Sequence, residues 1–153
     1  CSMPIGSLRL YKDYVEELFP KKDERNRMKK CVRNNLNKLD GIGDDMSMEI
    51  CGVGGSIRAT LKLQNAIFHL PQTNDTINLI HVKDLIRILK TGDTETLHRL
   101  LTIIPDRIHT ILPGMIILFE IASKFKSKRI FVSNYGVREG YMYDRLEGEI
   151  ENG

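Results

Sequence analysis

Apolar and polar positions alternate along this chain in a way that predicts mostly helices, separated by a few short strands. Ser2 to Leu10 reads as an extended segment, with Pro4 and Gly6 suited to a strand edge and Leu8 and Leu10 alternating. Tyr11 to Phe19 places Val15, Leu18 and Phe19 on one helical face, and Pro20 ends it. Lys22 to Leu39 follows as a second helix, with Met28, Cys31, Val32, Leu36 and Leu39 near a 3.6-residue period. Asp40 to Asp45 is a breaker-rich loop, and its aspartates lack the spacing of a calcium loop. Ile50, Cys51 and Val53 form a short apolar run, and a helix covers Ile57 to Phe68. Leu70 to Asn78 reads as loop.

From His81 the pattern is helical, with Val82, Leu85, Ile86 and Leu89 on one face. Thr91-Gly92-Asp93 closes that helix, and Asp93 caps a second one facing inward through Leu97, Leu100 and Leu101. Pro105 to Phe125 is a dense apolar helical stretch that Pro113-Gly114 should break or kink. Lys128 to Ser133 is a strand. Asn134-Tyr135-Gly136 turns it into a last helix from Val137 to about Leu146. Strand-turn-helix units at Gly52 and Gly136 among many helices predict an α/β layered domain.

The chemistry centres on Gly52-Val53-Gly54-Gly55-Ser56-Ile57-Arg58. Glycines at a strand-to-helix turn permit positive φ and close approach of a ligand. The free N–H groups and dipole at the following helix favour an anion. Ser56 is then the N-cap hydroxyl and Arg58 a phosphate clamp. The competing account is a tight connection that binds nothing, because the spacing matches neither a dinucleotide fingerprint nor a P-loop. Arg107 stands at a helix start, where a cation is unfavourable without an anion nearby, although an ion pair with Asp106 or Glu120 would also explain it. Arg138 opens the last helix after a glycine turn, either as a substrate contact or paired with a carboxylate that locks the turn.

Composition narrows the classes. With 153 residues, 41% apolar and 28% charged, one globular domain over residues 1–153 is expected. Net charge is only +3, unevenly spread. Lys21 to Arg33 carries seven basic and two acidic residues, but lacks interleaved aromatics and reads as a solvated helix face rather than a nucleic-acid track. Cys1, Cys31 and Cys51 have no CxxC spacing and His69, His81, His98 and His109 are scattered, so neither disulfides nor a metal site is expected. No apolar run is long enough to span a membrane, no signal segment opens the chain, and a reduced, cytoplasmic setting fits. The abrupt start at Cys1 suggests a piece of a longer polypeptide.

Three segments together resemble the exopolyphosphatase/guanosine pentaphosphate phosphohydrolase (Ppx/GppA) family. Ser2 to Leu10 is similar to its S-L-P-L-G-x-x-R-L segment. Gly52-Val53-Gly54-Gly55-Ser56 is similar to its G-x-G-G-T loop, with Ser for Thr, and Ile130 to Gly140 to its V-S-x-x-G-L-R-E-G ending. Between them, Arg107 through Gly114 follows the family's helix pair in order and spacing. The resemblance implies the second half of an actin-like, ribonuclease-H-type ATPase fold, helix-rich with a small mixed sheet. It implies hydrolysis of terminal phosphate from polyphosphate or guanosine penta/tetraphosphate, with Mg²⁺ held mainly by a preceding N-terminal domain absent here. This chain would form one wall of the cleft through Gly52, Gly54, Gly55, Ser56, Arg58, Arg107 and Arg138, with no catalytic base and no metal ligand of its own. It would be inactive alone and prone to homodimerise through its exposed wall. The alternative is a non-enzymatic actin-like module that binds a nucleotide or polyphosphate.

Overall fold

The computed structural model describes residues 3–39, 49–136 and 139–142. Arg138, the Asp40–Asp45 loop and most of the last helix lie outside the described residues. The elements run α1 (Ser7–Tyr14), α2 (Lys22–Leu36), β1 (Ile50–Gly52), α3 (Gly55–Ile67), β2 (Thr76–Asn78), α4 (Leu79–Leu89), α5 (Thr94–Ile103), a 3-10 turn (Pro105–Arg107), α6 (Ile108–Lys124) and β3 (Arg129–Val132).

One helix organises the rest. α6 packs against α1, α2, α3 and α4 and buries Ile108, Ile111, Leu112, Met115, Ile116 and Ala122. Burial on most sides explains why Pro113 does not break it, which overturns the break that the sequence reading offered beside a kink. The ring removes one hydrogen bond to the preceding turn, but apolar contact on most sides holds the helix through it. Gly114 has a different use. A Cβ there would stand 3.2 Å from the Ser56 Cβ and 3.5 Å from the Ser7 Cβ, so its absence lets α6 pass close beneath two helix starts.

The N-terminal segment also departs from expectation. Residues 7–14 are helical rather than extended, and α1 ends where a helix was expected to begin its apolar face, with Val15 already in extended backbone. A strand would have put Leu8 and Leu10 on one face. The helix instead buries Leu10 completely and leaves Leu8 in solvent. In α2 the predicted period holds, with Met28, Val32 and Leu36 inward. Glu24 is buried there as well, accepting hydrogen bonds from the N–H groups of Glu16 and Lys21.

The sheet has the order β1-β3-β2. β3 pairs parallel to β1, with Ile50 opposite Ile130, and antiparallel to β2, with Ile77 opposite Ile130. Ile77 and Ile130 face the core, whereas Cys51 and Phe131 face out. β2 falls within the segment read as loop, being too short to show a period. The buried Gln64 amide completes its edge by donating to the Thr76 carbonyl and accepting from the Asn78 N–H. Asn78 then caps α4 through the Ile80 N–H, so that helix begins at Leu79, two residues before His81. Asp93 caps α5 as expected, accepting from the Thr96 N–H.

Among the described residues no single helix is long and apolar enough to cross a membrane.

Candidate functional site

The site is built where β1 runs into α3. Gly52 ends the strand because a side chain has no room there. A Cβ would lie 2.7 Å and 2.9 Å from the methyl carbons of Ile57 and 3.3 Å from Ile130. Its role is close packing behind the loop. Gly54 takes φ +116°, a backbone conformation that favours glycine, and serves as the N-cap of α3.

Ser56 is therefore not the N-cap. It sits in the first turn, and its hydroxyl shares a 3.0 Å hydrogen bond with that of Ser7 at the start of α1. With glycine as the cap, no described side chain satisfies the first amides of α3. The earliest intrahelical bond there is from the Arg58 N–H to the Gly54 carbonyl. The N–H groups of Gly55, Ser56 and Ile57 thus remain free to meet a ligand, at the positive end of the helix.

Arg107 brings a second positive element to the same place. Its guanidinium lies against Gly55, in the space a Cβ would occupy. The ion pairs considered from sequence do not form. Glu120 is taken by Arg33, which donates from Nε at 2.6 Å and Nη2 at 3.2 Å, and Asp106 makes no ion pair with Arg107. The guanidinium hydrogen-bonds no described residue. A cation is thus packed on a helix start that has no side-chain cap, with no described carboxylate paired to it.

A cleft of about 330 Å³ adjoins the glycine loop, lined by Gly6, Ser7, Gly54, Gly55, Ser56 and Gly114 and walled by apolar residues of α6, while Arg107 stands outside its lining. No lining residue carries a carboxylate. Ser7 and Gly114 are members that the sequence reading missed. A glycine inside a dense apolar helix was the available signal, since it marks close approach.

The remaining candidates lie apart. Arg58 points to a separate groove and donates to the Asn134 carbonyl at 3.3 Å. Arg138 lies outside the described residues, but Glu139 beside it accepts the Gly136 N–H at 2.7 Å and so fixes the turn. The histidines stay scattered. His81 stacks on Phe68 at 4.2 Å and His109 lies tilted on Tyr11. Among the described residues no group of three His, Cys, Asp or Glu side chains is placed to hold a metal ion. The described residues therefore offer no donor set of that kind for Mg²⁺.

The family model of the Ppx/GppA phosphatases matches residues 1–149. No curated protein matches the chain. Among solved structures, the Aquifex aeolicus PPX-GPPA enzyme superposes with a TM-score of 0.76 at 22% identity, covering 93% of this chain and 48% of that one. A crystal structure described as the Aquifex aeolicus Ppx/GppA family member gives 0.77 at 21% identity, over 97% and 49%. The crystal structure of the type II variant of the Aquifex aeolicus Ppx/GppA phosphatase gives 0.74 at 21%, over 93% and 47%. At this identity the likeness shows the fold, the helix-rich actin-like α/β fold with a small mixed sheet. The chain spans about half the length of the solved structures it matches.

Proposed function

The chain belongs to the Ppx/GppA phosphatase family, and on that premise we propose that it forms one wall of a phosphoanhydride-hydrolase cleft. Its ligand is the terminal phosphate of inorganic polyphosphate or of guanosine penta/tetraphosphate. The observation that carries this reading is the Arg107 guanidinium resting on Gly55 beside the free amides of α3.

In such a reaction a water attacks the terminal phosphorus in line with the leaving oxygen, and charge spreads over the phosphoryl oxygens. On this reading the amides of Gly55, Ser56 and Ile57 and the Arg107 guanidinium, which packs on Gly55, neutralise that charge. The group that orients the attacking water is assigned to a preceding domain, because no carboxylate lines this cleft. Mg²⁺ implied by the family is assigned there too, and no step here passes through it.

The test is phosphate binding and phosphate release by the chain. Arg107→Gln should weaken inorganic tripolyphosphate binding about tenfold or more, as loss of a charge-assisted contact does. Unchanged affinity overturns the loop reading. Release of phosphate from tripolyphosphate by this chain alone, with Mg²⁺ present, overturns the assignment of the base elsewhere. The second reading is a module that binds phosphate without hydrolysis, favoured by the same lack of a carboxylate. Hydrolysis on adding the preceding domain of a family member would decide against it.

A further inference from the structure

The outer face of α2 is built almost wholly from arginine, lysine and asparagine. Between Arg25 and Lys38 the chain holds six cations and no carboxylate. Met28, Val32 and Leu36 turn inward. Asn26, Lys30, Arg33 and Asn37 follow at steps of four, three and four residues and form one exposed ridge. On one flank Arg27, Asn34 and Lys38 line a hollow of about 380 Å³ together with Lys30 and Tyr14. Lys29 stands on the other flank. The face is about 20 Å long, at 1.5 Å per residue.

Helix stability does not account for this face. The arginines of α1, α4 and α5 each pair with a carboxylate three or four residues away. From Arg25 onward on α2, only Arg33 is paired among the described residues, and its partner is the buried Glu120 of α6. Arg25 and Lys29, and then Lys29 and Arg33, set like charges four residues apart, which weakens a helix. Asparagine is a poor helix former. The side chains of Asn26, Asn34 and Asn37 make no hydrogen bond with a described residue. Lys90, the C-cap of α4, extends the positive field. Burial, and then the charges of Lys29 and Arg25, hold its ammonium below the ordinary lysine value.

From sequence this run reads as solvated, and its lack of aromatics counts against a single strand, whose bases need a stacking face. A duplex needs none, because its phosphates take spaced cations. The wide, shallow minor groove of an A-form RNA duplex displays 2′-hydroxyls, each both donor and acceptor. A side-chain amide carries both functions too. A ridge of free amides set among cations is complementary to that surface. The DNA major groove admits a whole helix, whereas α2 is backed by α1 and α6 and offers one face only. Binding in a membrane interface buries apolar side chains, and none of the large exposed apolar residues lies on α2.

We propose that the outer face of α2 binds double-stranded RNA, with its cations on phosphates and Asn26, Asn34 and Asn37 on 2′-hydroxyls. None of these residues lines the loop cleft, so the surface is independent of the phosphate reading.

Affinities of the chain for a short RNA duplex and for the DNA duplex of the same sequence test it. Arg27→Gln/Lys30→Gln/Lys38→Gln puts good helix formers at exposed positions. It should weaken RNA-duplex binding about tenfold or more and lower the salt-dependence slope by about three. Asn26→Ala/Asn34→Ala/Asn37→Ala should keep the slope but bring the RNA and DNA affinities within about twofold of each other. In both variants tripolyphosphate affinity and the circular dichroism spectrum stay as in the wild type. Equal affinity of the wild type for the two duplexes overturns the proposal, and so does undiminished RNA binding in the cation variant. A preference for RNA that survives the asparagine changes overturns it as well. Binding of polyglutamate or of phosphatidylserine vesicles as tight as that of the RNA duplex also overturns it, and gives the face to an acidic protein or to a membrane.

Discussion

The guanidinium of Arg107 lies where a side chain on Gly55 would have to begin. Glycine at position 55 is thus a requirement of a residue far away in sequence, and the two form one device for placing positive charge on the first turn of α3. Gly55→Ala should displace Arg107 and weaken tripolyphosphate binding nearly as much as Arg107→Gln does. The helix should stay intact, because alanine is favourable in a first turn. Titration with tripolyphosphate alongside far-ultraviolet circular dichroism checks both halves, and additive losses in the double variant would disprove the coupling.

Gly52 is a packing glycine. Gly52→Ala drives a Cβ into Ile57 and should cost about 1–3 kcal/mol by overpacking. Trimming the obstacle with Ile57→Val should recover part of that loss, although Ile57→Val alone destabilises slightly. Urea melts of the two single variants and the double variant read this directly. A rescue places the function of Gly52 in β1–α3 packing rather than ligand contact.

Arg33 and Glu120 join α2 to α6 across the protein. Glu120 is 4% exposed, whereas the Arg33 side chain is 63% exposed, and the pair raises the Arg33 guanidinium above its ordinary pKa through the Glu120 hydrogen bond. Arg33→Met strips that cation from a buried carboxylate and should cost about 1–3 kcal/mol, below the value for a fully buried pair because the arginine is wet. Arg33→Met combined with Glu120→Leu should be milder than Arg33→Met alone. Thermal melts of the full cycle measure the coupling.

Asp93 supplies a pH-dependent term. Hydrogen bonds from the Thr91 hydroxyl and then from the Thr96 N–H hold its carboxyl below the ordinary aspartate value. A depressed folded-state pKa stabilises above the unfolded value of about 3.9 and is lost as pH falls through the lower folded value. Asp93→Asn should therefore melt below the wild type near neutrality, with the gap closing as the solution is acidified past that window. Scanning calorimetry across that range checks it, and a gap independent of pH would assign the effect to packing.

Much of the architecture was legible because amphipathic helices advertise their buried face. Met28, Val32 and Leu36, and Val82, Leu85 and Leu89, needed only their spacing. α1 misled because Leu8 and Leu10 alternate like a strand while tertiary packing wants only Leu10. α6 misled because Pro113-Gly114 is a local stop signal that burial on most sides overrides. β2 has too few residues to show any period. At the site, the loop itself was readable from its glycines. Which residue capped α3 depended on the φ of Gly54, and what Arg107 faced depended on a contact between distant segments. Neither is written in local sequence.

The sheet carries a consequence for the order of folding. Its middle strand, β3, is the last of the three in the chain, so neither β1 nor β2 has a neighbour until Arg129 to Val132 is available. The Ser133 N–H then bonds the Gly52 carbonyl and fixes the end of β1 from which the glycine loop departs. During synthesis the helices can gather on their local signals, but closing this long loop waits for the final strand. The glycine turn after β1, early in the chain, is therefore among the last parts to acquire its shape.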